Sequence, residues 1–225
     1  MFDGIAARYD LLNRLTTFGI DKRWRKKAVE KLGLGPGQTL LDVAAGTLDI
    51  SIAAARKYPS TRVIAADPSR EMMKMGVKKV SPNESIHLVT CTAEQLPFSP
   101  ETVHAAIIAF GIRNFTNRAQ ALRKLYEIIR PGGRLVILEL CIPKQGLLAP
   151  VATLYVERVI PLMGALLSSG AEYAYLPESM KKFPQPEDFQ SELQSAGFDV
   201  IESIPFMAGA CSLFVSRRRT ESEDR

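Results

Sequence analysis

The sequence is poor in cysteine and histidine. Its three cysteines, Cys91, Cys141 and Cys211, lie far apart and form no CxxC pair. This spacing predicts neither a disulfide framework nor a cysteine-based metal site, and it indicates a reducing compartment. Both histidines fall in apolar segments that we predict to be strands. We therefore expect no metal centre.

A long uninterrupted hydrophobic run is also missing. The most apolar stretch, Leu147–Leu167, contains two prolines together with Glu157 and Arg158. A helix that spans a bilayer needs about 20 mainly apolar residues, so we exclude a transmembrane segment. The chain opens without a basic segment followed by an apolar one, so no secretory signal is expected. We predict a cytoplasmic protein, with peripheral contact at the inner membrane face as an option.

The chain has no strong excess of charge of one sign, since its net charge is +5. Its basic residues cluster in Lys22–Lys27 and Arg217–Arg219. Either cluster can contact anionic lipid head groups, and the alternative is an ordinary solvated surface. Aromatic residues do not alternate with these basic ones, so we exclude a nucleic-acid partner.

Apolar segments alternate with helical patterns along most of the 225 residues. This order predicts βαβ crossovers and a parallel sheet, and the near-continuous apolar run Val103–Phe110 is typical of a buried parallel strand. Pro131–Gly133 is expected to end a helix, with a fifth strand from Arg134. Val200–Pro205 and Ala210–Ser216 are expected to pair antiparallel. We predict an α/β, Rossmann-like sheet of seven mostly parallel strands with a reversed C-terminal hairpin and helices on both faces.

Two strand ends predict a nucleoside site. The segment Thr39–Asp49 (TLLDVAAGTLD) reads as a strand and a turn around Gly46, and the next apolar run ends at Asp67. The glycine lets the backbone approach a ligand, and the acid can accept both hydroxyls of a ribose. The alternatives are an ordinary βα turn capped by Asp49, and Asp67 as the cap of the next helix.

The turn departs from the dinucleotide fingerprint, which needs three glycines. Gly46 stands alone, and Asp49 follows it closely. An acid at this place repels a pyrophosphate but suits a cofactor that carries positive charge. S-adenosylmethionine, with its sulfonium and ammonium groups, is such a cofactor.

Three further segments carry a family resemblance: Ile5–Val29, Ala93–Leu140 and Tyr173–Phe189, which contain RYD, FGIRN and YLPES. They resemble the quinone-biosynthesis C-methyltransferases, class I S-adenosylmethionine-dependent enzymes that methylate demethylmenaquinone or a polyprenyl-benzoquinol. The resemblance implies one domain over residues 1–216, with a helical lid (1–36), a substrate-side insertion (144–185) and a polar tail (217–225). It implies a lipoquinone substrate and allows a homodimer.

The resemblance also assigns roles to residues at the strand ends. Thr47 and its turn would contact the methionine end of the cofactor, and Asp67 would bind the ribose. Thr92 and Ala93 would flank the adenine, and Ala109 would lie beside the methionine portion. A helix cap is the alternative for Thr92.

Methylation of a ring carbon requires loss of the neighbouring hydroxyl proton, so the site needs a base or a water relay and a cation near the developing phenolate. The resemblance implies Arg113 and Asn114 for this purpose: the arginine stabilises charge or orients water, and the asparagine holds the hydroxyl. Tyr9 and Asp10 would line the lid, with Asp10 as an optional proton acceptor. The alternatives are a surface salt bridge for Arg113 and capping or core packing for Tyr9 and Asp10.

The cofactor turn departs from the family pattern, GGTGD or CGTGD, at Ala45 and Leu48. We expect Leu48 beside the methionine part of the cofactor, at a cost of about 1 kcal/mol or more if its φ is positive. Leu147–Leu167 is a candidate wall for an isoprenoid tail, or an amphipathic core helix. The alternative functions are methylation of another small phenol, a methyltransferase-fold binding protein without catalysis, and a nicotinamide oxidoreductase.

Overall fold

The computed structural model describes residues 19–142 and 178–220, together with Leu154 and Arg158. The predictions for Tyr9 and Asp10 lie outside the described residues. So does the proposed tail wall, Leu147–Leu167, apart from those two isolated residues.

The described residues form one sheet of seven strands with helices on both faces. The strand order is β3-β2-β1-β4-β5-β7-β6. Neighbours among β1 to β5 are parallel, whereas β7 runs antiparallel to both β5 and β6. The predicted architecture is therefore confirmed. The strands are β1 (Thr39–Val43), β2 (Arg62–Ala66), β3 (Ile86–Val89), β4 (Val103–Ala109), β5 (Ile129–Leu140), β6 (Phe198–Phe206) and β7 (Cys211–Arg218). The helices are α1 (Asp21–Glu30), α2 (Asp49–Lys57), α3 (Arg70–Val77), α4 (Arg118–Ile128) and α5 (Pro186–Ser195).

Strand β4 is apolar along nearly its whole length because both of its faces are buried. Ala105 and Ile107 belong to the core on the side of α1 and α2. Ala106 and Ile108 belong to the core on the side of α4 and α5. Side chains alternate across a strand, so two buried faces require two sets of apolar residues.

The fifth strand begins earlier than the sequence pattern predicts. It starts at Ile129, directly after α4, and its pairing with β4 shifts between Val103 and Ala105. A Cβ at Gly133 would lie 2.7 Å from the carbonyl oxygen of His104, so glycine permits this close approach. Pro131–Gly133 thus forms an irregularity inside the strand instead of a break before it.

The strand order reverses direction at β1, which pairs with β2 on one side and β4 on the other. The connections that leave β1 and β4 therefore diverge to opposite faces and open a crevice at the carboxyl ends of the strands. Open α/β sheets bind ligands in such a crevice. This topology brings the turn at Gly46, the end of β2 and the loop after β4 together.

Candidate functional site

A cavity of about 190 Å³ occupies this crevice. Five of the residues that we predicted for the site line it. They are Gly46, Asp67, Thr92, Ala93 and Asn114. The rest of the wall is formed by Ala44, Pro68, Met72, Cys91, Glu94, Phe110, Gly111, Phe115 and Thr116.

The turn after β1 holds three residues in the left-handed region. They are Ala44 (φ 57°), Gly46 (φ 53°) and Leu48 (φ 65°). A Cβ at Gly46 would be 3.4 Å from the terminal methyl of Met72, and the Gly46 amide donates to Asp67 Oδ2 over 2.8 Å. The left-handed backbone at this position favours glycine, and the Gly46 amide ties the turn to the end of β2.

Asp67 is a cavity wall residue that the backbone orients. Its Oδ2 accepts from Gly46, and its Oδ1 accepts from the Ser69 amide over 2.8 Å. The cap of α3 is Ser69, whose Oγ accepts from the Met72 amide over 3.1 Å. Ser69, and not Asp67, therefore caps α3. The two backbone donors hold the Asp67 carboxylate in one orientation at the cavity.

Leu48 does not face the cavity, so the expectation that it lies beside the cofactor is wrong. Its side chain is fully buried in a separate apolar cluster with Ile52, Ala65 and Met73. Gly76 makes room for it, since a Cβ there would lie 2.5 Å from Leu48 Cγ. The left-handed backbone of Leu48 directs its side chain under α3.

Thr92 and Ala93 follow β3 and form one wall of the cavity. Thr92 precedes a short 3₁₀ helix, Ala93–Gln95, and makes no side-chain capping hydrogen bond. Beside them, burial and then the charge of Asp67 raise the pKa of the Cys91 thiol. Cys91 therefore lines the cavity as a neutral, weakly polar group.

Two other predicted cofactor residues lie behind the wall. Ala109 is the last residue of β4, and Thr47 is buried in the turn; neither is among the residues that line the cavity. Phe110, the neighbour of Ala109, lines it instead, with a φ of 60°. The left-handed conformation of Phe110 turns the chain at the end of β4.

Arg113 and Asn114 diverge, although they are adjacent in sequence. Asn114 lines the cavity, whereas the Arg113 guanidinium forms a buried ion pair with Glu139 of β5. Arg113 Nη1 also donates to the Phe110 carbonyl over 2.9 Å, and the Arg113 amide donates to Glu139 Oε2 over 3.2 Å. The predicted salt bridge of Arg113 is thus present but buried, and it fastens the FGIRN loop to the sheet.

Among the described residues of the cavity wall, the charged ones, Asp67 and Glu94, are both acidic. A third acid, Asp42, is buried in β1 and accepts from Ser51 Oγ over 2.6 Å. Burial raises the pKa of Asp42 to about 7, against the opposing effects of Ser51 and Arg25. The electrostatics of this cavity therefore favour a cationic ligand over a pyrophosphate.

The sequence pattern left Asp42, Glu139 and Phe110 without roles. A signal for the two acids is present, because each interrupts an otherwise apolar strand, in TLLDV and in LVILEL. An acid in a buried strand is rarely left without partners, so such positions mark polar networks. Phe110 carries no comparable signal, because an aromatic residue at the end of a buried strand is common.

Comparison with known proteins gives consistent matches along the chain. The model of the ubiE/COQ5 methyltransferase family matches residues 1–218. The chain is 42% identical over 215 residues to the ubiquinone/menaquinone biosynthesis C-methyltransferase UbiE of Syntrophotalea carbinolica, covering 95% of this chain and 91% of that protein. It is 40% identical over 202 residues to the demethylmenaquinone methyltransferase of Thermus thermophilus, covering 89% and 92%.

Solved structures share the fold at lower identity. A putative methyltransferase of Bacillus halodurans superposes with a TM-score of 0.67 at 18% identity, covering 87% of this chain and 99% of that one. A SAM dependent methyltransferase from Aquifex aeolicus superposes with a TM-score of 0.60 at 18% identity, covering 86% and 88%. At these identities the likeness concerns the fold alone.

Proposed function

The chain belongs to the ubiE/COQ5 methyltransferase family, and from this premise we propose that it methylates a ring carbon of a lipoquinol with S-adenosylmethionine. The substrate in this proposal is demethylmenaquinol or a polyprenyl-benzoquinol. The names of its relatives, a demethylmenaquinone methyltransferase and a C-methyltransferase of ubiquinone/menaquinone biosynthesis, support this choice. The observation that carries the proposal is the acidic cavity at the carboxyl ends of β1, β2 and β4, with Asp67 oriented by two backbone amides.

The residues of this cavity fit a sulfonium cofactor. Backbone amides hold the Asp67 carboxylate at both oxygens, and it lines the cavity, where a carboxylate can accept two ribose hydroxyls. Ala93, Pro68 and Met72 offer apolar surface for a purine ring. When bound, S-adenosylmethionine supplies an electrophilic methyl group on a positively charged sulfur. No lysine, arginine or histidine lines the described wall, so no cation opposes that charge.

Asn114 is the residue that we assign to the quinol. Its side-chain amide has both a donor and an acceptor, so it can hold the ring hydroxyl, or a water that takes the hydroxyl proton. The electron pair left on the oxygen makes the neighbouring ring carbon nucleophilic. Once methylated, this carbon loses its own proton to solvent, which restores the aromatic ring. Alignment of this carbon with the methyl group lowers the barrier further.

Arg113 acts in this proposal as a positioning residue. Its guanidinium is held by Glu139 and by the Phe110 carbonyl, so it fixes the loop that carries Asn114. Arg113 therefore does not contact the phenolate in this proposal, in contrast to the role that the resemblance implies. Tyr9 and Asp10 keep their proposed place in the lid.

The rival functions meet specific obstacles. A nicotinamide cofactor brings a pyrophosphate, which the acidic wall of the cavity disfavours. A binding protein without catalysis would follow if Leu48 blocked the cofactor site, but the Leu48 side chain packs away from the cavity. Methylation of another small phenol would use the same site, so only an assay that compares quinol and phenol substrates can separate these two functions.

We also propose that the protein meets its substrate at a membrane surface. An isoprenoid tail keeps a lipoquinol in the bilayer, so the enzyme must reach the ring from the aqueous side. Of the helices within residues 19–142 and 178–220, none has the length and apolarity to cross a bilayer. Association as a homodimer stays a prediction.

Calorimetry and methyl transfer test the proposal together. S-adenosylmethionine should bind and NADH should not, and labelled methyl should appear on a demethylmenaquinol analogue. Asp67→Asn should weaken cofactor binding, whereas Asp188→Asn, an exposed carboxylate on α5, serves as the matched control. Tight binding of NADH, or transfer to simple phenols but not to the quinol, would contradict it. Complementation of a strain that lacks the methyltransferase, followed by mass spectrometry of its quinones, identifies the ring.

A further inference from the structure

A second cavity, which we call the α1–α2 groove, lies between the first two helices and has a volume of about 540 Å³. Its walls come from α1, from α2 and from one residue that follows α3. They are Lys22, Arg25, Lys26, Val29 and Glu30 of α1, Asp49, Ile52, Ala53, Arg56 and Lys57 of α2, and Lys79.

Each helix contributes one complete face to this groove. In both helices the lining residues are three, four, seven and eight positions after the first, which is the spacing of one helical face. Tyr58 Oη donates to the Val29 carbonyl over 3.1 Å and joins the end of α2 to α1. Val29 and Ile52 are buried, so the floor is apolar while the rim is charged.

The charge of the groove is mainly positive. Of the described residues that line it, six are lysine or arginine and two are acidic. Arg56 pairs with Glu84 and Lys79 with Asp49, each over 2.6 Å. Among the described residues no acid pairs with the exposed side chains of a set of three that we call the groove lysines: Lys22, Lys26 and Lys57.

The groove begins beside the candidate active site. Arg25 lines the groove, and its guanidinium carbon lies 4.9 Å from the centroid of the Phe110 ring. Phe110 in turn lines the cavity that we assign to the cofactor and the quinol. A ligand in the groove would thus be separated from the reaction site by one stacked pair of side chains.

We propose that the α1–α2 groove binds the phosphate head group of an anionic phospholipid at the bilayer surface. The groove lysines would contact the phosphate, and the apolar floor would cover the glycerol and the first acyl carbons. This proposal rests on the proposed function, because a lipoquinol in the bilayer gives the enzyme a reason to dock there. The apolar floor favours a lipid over a soluble anion. Among the described residues that line the groove there is no aromatic ring, which disfavours single-stranded nucleic acid.

Co-sedimentation of the full chain with vesicles tests the groove. Vesicles of phosphatidylcholine with one quarter phosphatidylglycerol are compared with vesicles of phosphatidylcholine alone. We expect binding to the anionic vesicles only. The variant Lys26→Gln/Lys57→Gln should lose roughly 25-fold in affinity, because each lysine near an anionic surface contributes about fivefold.

The control variant is Arg123→Gln/Lys124→Gln on α4, on the opposite face of the sheet. It removes the same charge, so it should bind within about twofold of the unaltered chain if the groove is the site. Equal losses in both variants would overturn the proposal in favour of unspecific charge attraction, and so would equal binding to both kinds of vesicle. Thermal unfolding of each variant confirms that the fold is intact.

Inorganic phosphate distinguishes the lipid from a soluble anion. Calorimetric binding of free phosphate that is lost in Lys26→Gln/Lys57→Gln, without vesicle binding, would overturn the lipid assignment. The vesicle assay contains neither methyl donor nor quinol. Docking without methyl transfer would therefore refute the proposed methyl transfer alone. Methyl transfer without docking would refute this inference and the proposed membrane contact, and would leave the proposed methyl transfer standing.

Discussion

Replacement of Leu48 separates the backbone strain of the cofactor turn from the packing of its side chain. Leu48 has a φ of 65° and is fully buried against Ile52, Ala65 and Met73. Loss of a buried leucine side chain costs about 3 to 5 kcal/mol, and release of a left-handed backbone returns about 1 kcal/mol. The packing loss is the larger effect, so both Leu48→Ala and Leu48→Gly should destabilise the protein.

The order of the two variants tests the backbone contribution. We expect Leu48→Ala to cost about 3 to 5 kcal/mol and Leu48→Gly about 2 to 4 kcal/mol, because only glycine relieves the left-handed conformation. Ile52 is the matched control, since it belongs to the same cluster but lies inside α2. There glycine should be worse than alanine by about 1 kcal/mol. Urea unfolding of the four variants measures these differences.

Cofactor affinity provides the refuting result. Leu48 does not line the cavity, so calorimetry should show S-adenosylmethionine binding to Leu48→Gly within about twofold of the unaltered chain. A tenfold or larger gain in affinity, with an unchanged free energy of unfolding, would place the leucine side chain in the cofactor site. That result would refute our account of the turn and restore the possibility of an impaired enzyme.

Three further variants test the polar network of the site. Asp67→Asn should weaken S-adenosylmethionine binding about 10- to 100-fold by calorimetry, because a hydrogen bond to a charged group contributes about 1.5 to 3 kcal/mol; an unchanged affinity would remove the ribose assignment. Glu139→Gln should lower the free energy of unfolding by about 3 to 5 kcal/mol, since the buried guanidinium of Arg113 loses its counter-charge; a change below about 1 kcal/mol would contradict this role. Burial raises the pKa of Asp42 from 3.8 to about 7, so the folded protein retains a proton that the unfolded chain has lost between these values. The contribution of Asp42 to the free energy of unfolding therefore falls as the pH rises from about 4 to 7. Urea unfolding should show that the free energy of unfolding of Asp42→Asn, relative to that of the unaltered chain, is higher at pH 8 than at pH 5 by several kcal/mol. The same difference between the two proteins at both pH values would refute the raised pKa.

The sheet could be predicted because its signals are local. An apolar run such as Val103–Phe110 between breaker residues indicates a buried strand whatever lies around it, and alternating helices imply parallel crossovers. The strand at Ile129 shows the limit of such signals. In the sequence, Pro131–Gly133 is typical of a segment that ends a helix. In the structure it forms an irregularity inside β5, which pairs with β4 on both sides of it.

The candidate site likewise contains residues that local sequence signals identify and residues whose position depends on distant contacts. Asp67 follows an apolar run, so its place at the sheet edge follows from chain order and parallel topology. The partner of Arg113 could not be found this way, because Glu139 is 26 residues away and its strand had first to pair with β4. The direction of the Leu48 side chain depends likewise on Gly76, which lies on α3, beyond the range of any local sequence pattern.

The alternation of strands and helices along the chain, the acid at the end of β2 and the family signatures are properties of the sequence itself, because periodicity and spacing act over a few residues. The tertiary structure decided which side chains face the ligand: it turned Asn114 and Phe110 toward the cavity, and Arg113 and Leu48 away from it. A side chain points where distant neighbours leave room or offer a charge. Those neighbours are brought close only when the sheet assembles.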